Sequence, residues 1–309
     1  MNVSYNLVLF HVPGRQAISD FLTVRSIMIG RAPDIEVYVV SAGKQIPDGF
    51  WKKTAALPTL LFSPMPIDLP QGIRGTRLIQ EGVTKLEEVQ LVSGAKLSTP
   101  ETFIIEPETR IDEGRWGPFT IVKPNYGFRG SGIRLMRTRD VRWIDTSALP
   151  KSDPRSGRTL LAQRYVDTGP FVASYRVMTV LGRPIYCRIS QALERRPHLD
   201  ASQPVDVAVA SNNVARKVAV VDEPEVVKLA ISVHAALPRF PVMGIDIVRE
   251  YSTGKLFVLE FNSHGSTWHL SSEHGRKYQR EFGLDYYRQF NALDSITDAL
   301  IEATRKNAV

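Results

Sequence analysis

Two carboxylates and an amide stand where the sequence otherwise writes buried strand. "GIDIV" (244–248) and "KLFVLEFN" (255–262) are apolar runs, yet the first carries Asp246 and the second Glu260 and Asn262. Side chains alternate faces along a strand, which puts Glu260 and Asn262 on one face and Leu259 and Phe261 on the other. The intervening "STG" is short enough to fold the two runs into a hairpin, so Asp246 can meet Glu260 or Asn262 across the pair. Polar groups on an apolar strand are costly unless something binds them. Two carboxylates and an amide are hard oxygen ligands suited to Mg²⁺ held together with phosphates. A buried acid paired with an arginine is the plain alternative.

A second group of residues suits phosphates. "IVKPNYGFRGSGI" (121–133) delivers Lys123 from a strand into a loop with Gly127, Gly130, Ser131 and Gly132. Glycines let backbone N–H groups approach phosphate oxygens, and a lysine supplies a compact cation. The spacing is neither a Walker loop nor a dinucleotide fingerprint, because strand, not helix, follows the glycines. An ordinary hairpin turn fits equally well. "LAQRYV" (161–166) ends a strand at Gln163, Arg164, Tyr165 and Val166 and is uninformative alone. Arg176 in "SYRVMTV" and Arg188 in "YCRIS" sit in apolar strands, aimed either at an anion or at Asp246 or Glu260.

The histidines carry less. His264, His269 and His274 recur every five residues, which is no zinc spacing. His264 follows the metal strand and reads as a substrate contact or base, or else as a loop histidine on Trp268. His11, after the first strand, is expected at the cleft mouth or simply packed. Cys187, the one cysteine, lies in a strand and reads as core; it excludes an internal disulfide framework.

These residues need elements to hold them. "YNLVLFHV" (5–12), "DIEVYVVS" (34–41) and "LPTLLFSP" (57–64) read as strands, with a helix within 15–31. That order predicts a small parallel-sheet domain over 1–75, closed by the Pro- and Gly-rich "SPMPIDLPQGIRG" (63–75). Beyond it come a helix from Thr76 or Thr84 to Val92 and strands at 101–107, 118–124, 130–137 and 159–166. A hairpin follows over 174–193, turning at Leu181-Gly182-Arg183. Then come a helix with Pro224 near its start, the acid-bearing hairpin and a last helix in the tail.

The chain's 309 residues bear 39 Lys and Arg against 32 Asp and Glu, a net charge of +7. The bias suits nucleotide phosphates, carboxylates or nucleic acid, or merely a solvated basic surface. Neither a signal peptide nor an apolar run of about 20 residues is evident, so the expected compartment is the cytoplasm, without a membrane partner.

Taken in order, strand-lysine-glycine loop, "QRYV", strand arginine, "GIDIV" and "LEFN" resemble the ATP-grasp superfamily, over about residues 76–305. The likeness is nearest to the branch of ribosomal-protein glutamate ligases and D-alanine–D-alanine ligases. It implies an α/β fold in which the N-terminal domain precedes two lobes sandwiching ATP: a central lobe (76–165) with a phosphate flap and a C-terminal lobe (166–309) with the metal site. By the same resemblance, Lys85 and Lys123 are ATP-phosphate lysines and the Gly127–Gly132 loop is the flap. Gln163 to Val166 are the inter-lobe hinge whose main chain meets adenine. Asp246, Glu260 and Asn262 hold Mg²⁺ (or Mn²⁺), and Arg176 and Arg188 face phosphates and an acyl-phosphate. Two departures stand out: Ser174 replaces an acid that many relatives use for ribose, and Asn262-Ser263-His264-Gly265 replaces a common Asn-x-Ser-Pro-Gly.

The implied activity is an ADP-forming carboxylate–amine ligase acting on ATP, a small carboxylate and an amine, with an amino acid or peptide among them. Nucleic acid is not required, and self-association is left open. The alternatives are a small-molecule kinase on the same scaffold and a non-catalytic ATP- or peptide-binding protein.

Overall fold

The computed structural model describes residues 3–69, 72–127, 130–199, 206–207, 215–263 and 267–309. The chain opens with β1 (Tyr5–His11), α1 (Ile18–Arg31), β2 (Ile35–Ser41), α2 (Asp48–Thr54), β3 (Thr59–Ser63) and β4 (Thr76–Ile79). The four strands form a parallel sheet in the order β2-β1-β3-β4. β1 is central and covered on both faces: Leu7 and Leu9 enter one core cluster, Val8 and Phe10 another. Such two-sided burial is why it reads as a continuous apolar run.

β4 shows where helix and strand signals compete. Thr76–Ile79 pairs in register with β3, so the first sheet extends past residue 75. The helix, α3 (Lys85–Gly94), starts instead behind Thr84, which forms a capping box with Glu87.

The middle of the chain adds β5 (Thr102–Ile104), α4 (Glu113–Trp116), β6 (Phe119–Pro124), β7 (Arg134–Arg137) and β8 (Leu160–Arg164). After these come β9 (Ala173–Val180), β10 (Arg183–Ala192), β11 (Asp206–Val207), β12 (Arg216–Val220) and α5 (Pro224–Ala236). The last elements are β13 (Val242–Arg249), β14 (Leu256–Phe261), α6 (Glu273–Phe282) and α7 (Ala292–Asn307). They build two antiparallel sheets, β11-β7-β6-β8-β5 and β12-β10-β9-β13-β14. The β9–β10 turn has positive φ at both Leu181 and Gly182, the primed turn that matches strand twist; a leucine there stores strain of about 1 kcal/mol.

α5 covers one face of the third sheet, β12-β10-β9-β13-β14. Val226, Ala230 and Val233 pack on Val177, Cys187, Ile245, Ile247, Val258 and Phe261. Burial raises the Cys187 thiol to about 12, in keeping with a core role.

The first and third sheets share one core. Leu7, Leu9, Met28 and Leu60 cluster with Met178, Tyr186, Trp268, Tyr286, Ile296 and Leu300. α7 seals this junction, and the Thr59 N–H donates to the carbonyl of Val309 at 3.0 Å. Among the described residues no helix is long and apolar enough to cross a membrane.

Candidate active site

The face of the last sheet opposite α5 carries the charged residues. Register places Arg188 of β10, Arg176 of β9, Asp246 of β13 and Glu260 of β14 in one row across four strands. Residues directly opposite share a face, so alternation alone lines them up. A β-bulge falls beside Glu260, because Asp246 pairs with Glu260 while Ile247 pairs with Val258. Leu259 is the extra residue. It packs with Val166, Val248 and Phe257 rather than under α5, so the simple alternation expected of Leu259 and Glu260 does not hold.

Each acid of the row has its own cation. Arg176 Nε lies 2.7 Å from Asp246 Oδ1, and a second guanidinium nitrogen lies 2.5 Å from Oδ2. Lys85, at the start of α3, forms an ion pair with Glu260. Asn262 Nδ2 donates to Asp246 Oδ2 at 3.2 Å and to the Gly244 carbonyl at 2.9 Å, so both bonds use the amide nitrogen and neither uses Oδ1. The arginine pairing expected as an alternative is therefore present for Arg176, within the same row.

Arg188 differs. Its side chain is buried over the ring of Tyr278 at 4.9 Å and bonds that hydroxyl at 3.4 Å. Its Nε has no hydrogen-bond partner. Arg216 of β12 lies over the same ring at 5.5 Å.

Lys123, near the end of β6, is buried and donates to Gln163 Oε1 at 3.1 Å. Burial, against the pull of Glu260 and with Lys85 adding repulsion, drops its ammonium to about 8. Burial alone would raise the Glu260 carboxyl, but Lys85, Lys123 and Arg176 together hold it at about 2. Lys123 of the middle sheet is thus within electrostatic reach of Glu260 and Asp246 of the last sheet.

Glu88 escaped the sequence reading. It lies one helical turn beyond Lys85, a spacing that puts both on one face of α3, and this was its available signal. Burial and the neighbouring Glu260 raise its carboxyl to about 8. Glu88 Oε1 accepts from the Ser263 N–H at 3.1 Å and hydroxyl at 2.9 Å, tying α3 to the residue after Asn262.

The glycine loop is described in part. Gly130 and Gly132 have φ of 72° and 76°, and a Cβ on Gly132 would come within 2.9 Å of Pro124; Ser131, between them, is exposed. Gln163 lies mid-sheet, in register with Thr102 and Ile121. The Arg164 N–H donates to the Glu101 carbonyl at 2.9 Å. Tyr165 and Val166 follow the strand. His264 lies outside the described residues.

Two carboxylates and an amide oxygen fit a hard divalent cation that takes its other ligands from phosphates and water. Among the described residues no group of three or more His, Cys, Asp or Glu side chains converges as a self-sufficient metal cluster. The donor set suits an ion arriving with a nucleotide.

No family model matches the chain, and no curated protein matches it in sequence. Solved structures match its fold. ATP-grasp ligase PsnB complexed with minimal precursor, Mg and ADP has a TM-score of 0.52 at 14% identity, over 97% of this chain and 98% of its own. PsnB with minimal precursor alone gives 0.51 at 16% identity, over 98% and 100%. D-alanine–D-alanine ligase from Bacillus anthracis aligns over 98% and 99% at 15% identity with a TM-score of 0.47; the fold comparison rests on the first two.

Proposed function

From the ATP-grasp fold that this chain has, we propose that it is an ATP- and Mg²⁺-dependent carboxylate–amine ligase, forming an amide through an acyl-phosphate. The observation that carries this reading is the facing of Lys123 and Lys85 toward the Arg176–Asp246–Glu260 row, with Asn262 beside it. Phosphoryl transfer demands positioning and charge neutralisation more than covalent help from the protein. Lys123 from the middle sheet and Lys85 from α3, close to the oxygen ligands of the last sheet, meet that demand.

Lys123 and Lys85 hold the phosphates, and the backbone around Gly130, Ser131 and Gly132 covers them. The base is assigned to the side of the apolar cluster of Val166, Val248, Phe257 and Leu259, where Leu259 is only partly buried. Tyr165 and Val166 supply the hinge main chain, since Gln163 and Arg164 are committed to the sheet. Asp246, Glu260 and Asn262 would hold Mg²⁺, which supplies Lewis-acid neutralisation of the phosphate oxygens. Arg176 steadies Asp246, and Arg188 meets the oxyanion of the activated carboxylate.

A carboxylate oxygen attacks the γ-phosphorus, ADP leaves, and the amine then displaces phosphate at the acyl carbon. ADP release measured with candidate carboxylates and amines, singly and together, tests the reading. Turnover that requires both supports a ligase; turnover with a hydroxyl compound and no amine would make the protein a kinase.

A further inference from the structure

Asn125, the second residue after Lys123, has no part in the phosphoryl-transfer account, yet it joins the elements that carry the two lysines. Its N–H donates to the Thr159 carbonyl at 2.9 Å, which carries the β6–β8 pairing one residue beyond Pro124. Its carbonyl accepts from the Lys85 N–H at 3.2 Å, and its side-chain Oδ1 accepts from the Leu86 N–H at 2.9 Å. Lys85 and Leu86 are the first two residues of α3. That contact fixes the orientation of the amide, because only its oxygen can accept from an N–H.

The first turn of a helix has N–H groups without intrahelical partners, and at α3 every one of them is accounted for. Thr84 Oγ1 accepts from the Glu87 N–H at 3.3 Å, and Glu87 Oε2 accepts from the Thr84 N–H at 2.7 Å. The first helical bond runs from the Glu88 N–H to the Thr84 carbonyl. That leaves the N–H groups of Lys85 and Leu86, and Asn125 takes both. Water would serve them too, since Thr84, Lys85 and Leu86 are all half-buried. The helix does not need Asn125 in order to be capped.

What Asn125 supplies is a tie. Its two bonds are the only hydrogen bonds, among the described residues, between α3 and the segments that build the middle sheet. In its other contacts α3 belongs to the last sheet: Lys85 pairs with Glu260, Glu88 accepts from Ser263, and Val92 enters the core under α5. Lys85 repels the Lys123 ammonium, so the two cations do not hold each other at a set distance. Asn125 sets that distance by geometry, two residues from one lysine and bonded to the backbone of the other.

We propose that Asn125 is a positioning residue for the nucleotide, locking α3 to the strand of Lys123 so that both lysines meet the phosphates as a fixed pair. This rests on the ATP reading, and Asn125 acts through Lys85 rather than by touching the nucleotide. A pair of cations already in place binds a polyphosphate without first ordering a helix, which lowers the entropic cost of binding.

The test is calorimetric titration of the full chain with ATP and Mg²⁺, with thermal unfolding of each variant alongside. Asn125→Ala is expected to weaken ATP binding by about tenfold, the order of one lost hydrogen bond. Thr84→Ala removes a local cap of the same helix; it should lower Tm at least as much but change affinity by less than about threefold. In a Lys85→Met background, Asn125→Ala should change affinity by less than about twofold, because the residue it positions is gone. Asn125→Ser, too short to reach Leu86 but still polar, is expected to match the alanine variant and covers the case in which that one fails to fold. Undiminished binding by Asn125→Ala, equal loss in Thr84→Ala, or full loss in the Lys85→Met background each overturns the proposal. If the unsubstituted protein does not bind ATP, the ATP reading fails first and takes the role of Asn125 with it.

Discussion

Asp246 and Glu260 stand directly opposite each other across β13 and β14, and each carboxylate is held by a different cation. Arg176 holds Asp246 from within the sheet, whereas Lys85 reaches Glu260 from the end of α3. Side-chain exposures of about a fifth on all four residues keep them reachable by a ligand. An incoming divalent cation must share Asp246 with Arg176 and draw Glu260 from Lys85.

This asymmetry sets the cost of removing either acid. Asp246→Asn strands the Arg176 guanidinium in a strand with no second acid bonded to it, while Lys85 can swing toward water after Glu260→Gln. Urea unfolding should show Asp246→Asn losing about 2–3 kcal/mol, somewhat below a fully buried pair because the groups are partly exposed. Glu260→Gln should lose clearly less. Equal losses would mean the two pairs are equivalent.

Lys123 should give the proposed nucleotide site its pH dependence. With its ammonium at about 8, it begins to lose charge just above neutrality, and the neutral amine no longer attracts phosphate. Nucleotide affinity should be level below pH 8 and fall above it, by up to about tenfold per pH unit. Lys123→Arg keeps its charge throughout, so titration calorimetry across that range should find its affinity flat.

Glu88 should shape stability with the opposite charge. Its folded carboxyl binds a proton more tightly than the unfolded one, since it stands at about 8 against an ordinary 4.5. Its favourable contribution is therefore full below the unfolded value and is lost as pH rises from there through 8. Glu88→Gln retains an oxygen to accept from Ser263 and has no charge to bury. Its Tm should match the parent near the acid end of that window and exceed it above pH 8.

Gly275 is expected to tolerate no side chain. Gly275→Ala would drive a Cβ against the His269 carbonyl, costing roughly 1–3 kcal/mol by overpacking and displacing His269 from Tyr186. Thermal unfolding reads the first effect. Gly283→Ala, at the αL cap of the same helix with open space around it, is the comparison, and its loss should stem from backbone strain alone.

Much of this site was legible because it depends on strand alternation and short turns. Asp246 opposite Glu260, the Leu181-Gly182 turn and the buried Cys187 all follow from local pattern. Leu259 did not, because a bulge breaks the period of two that the expectation used. β4 and α6 escaped too: β4 owes its strand form to pairing with β3, and α6 is a strongly polar stretch whose few apolar residues give little to read. Glu88 was concealed by its type, since nothing local says that a glutamate one turn beyond Lys85 is buried against Ser263. The His269–Tyr186 contact joins residues 83 apart in sequence, and only the folded chain brings them together.

Titration of the full chain with ATP in the presence and absence of Mg²⁺ bears most directly on the central claim. Saturable binding that requires Mg²⁺, and that Mg²⁺ no longer strengthens in Glu260→Gln, is the expected result. Absence of binding, or binding indifferent to Mg²⁺ in the unsubstituted protein, would contradict it.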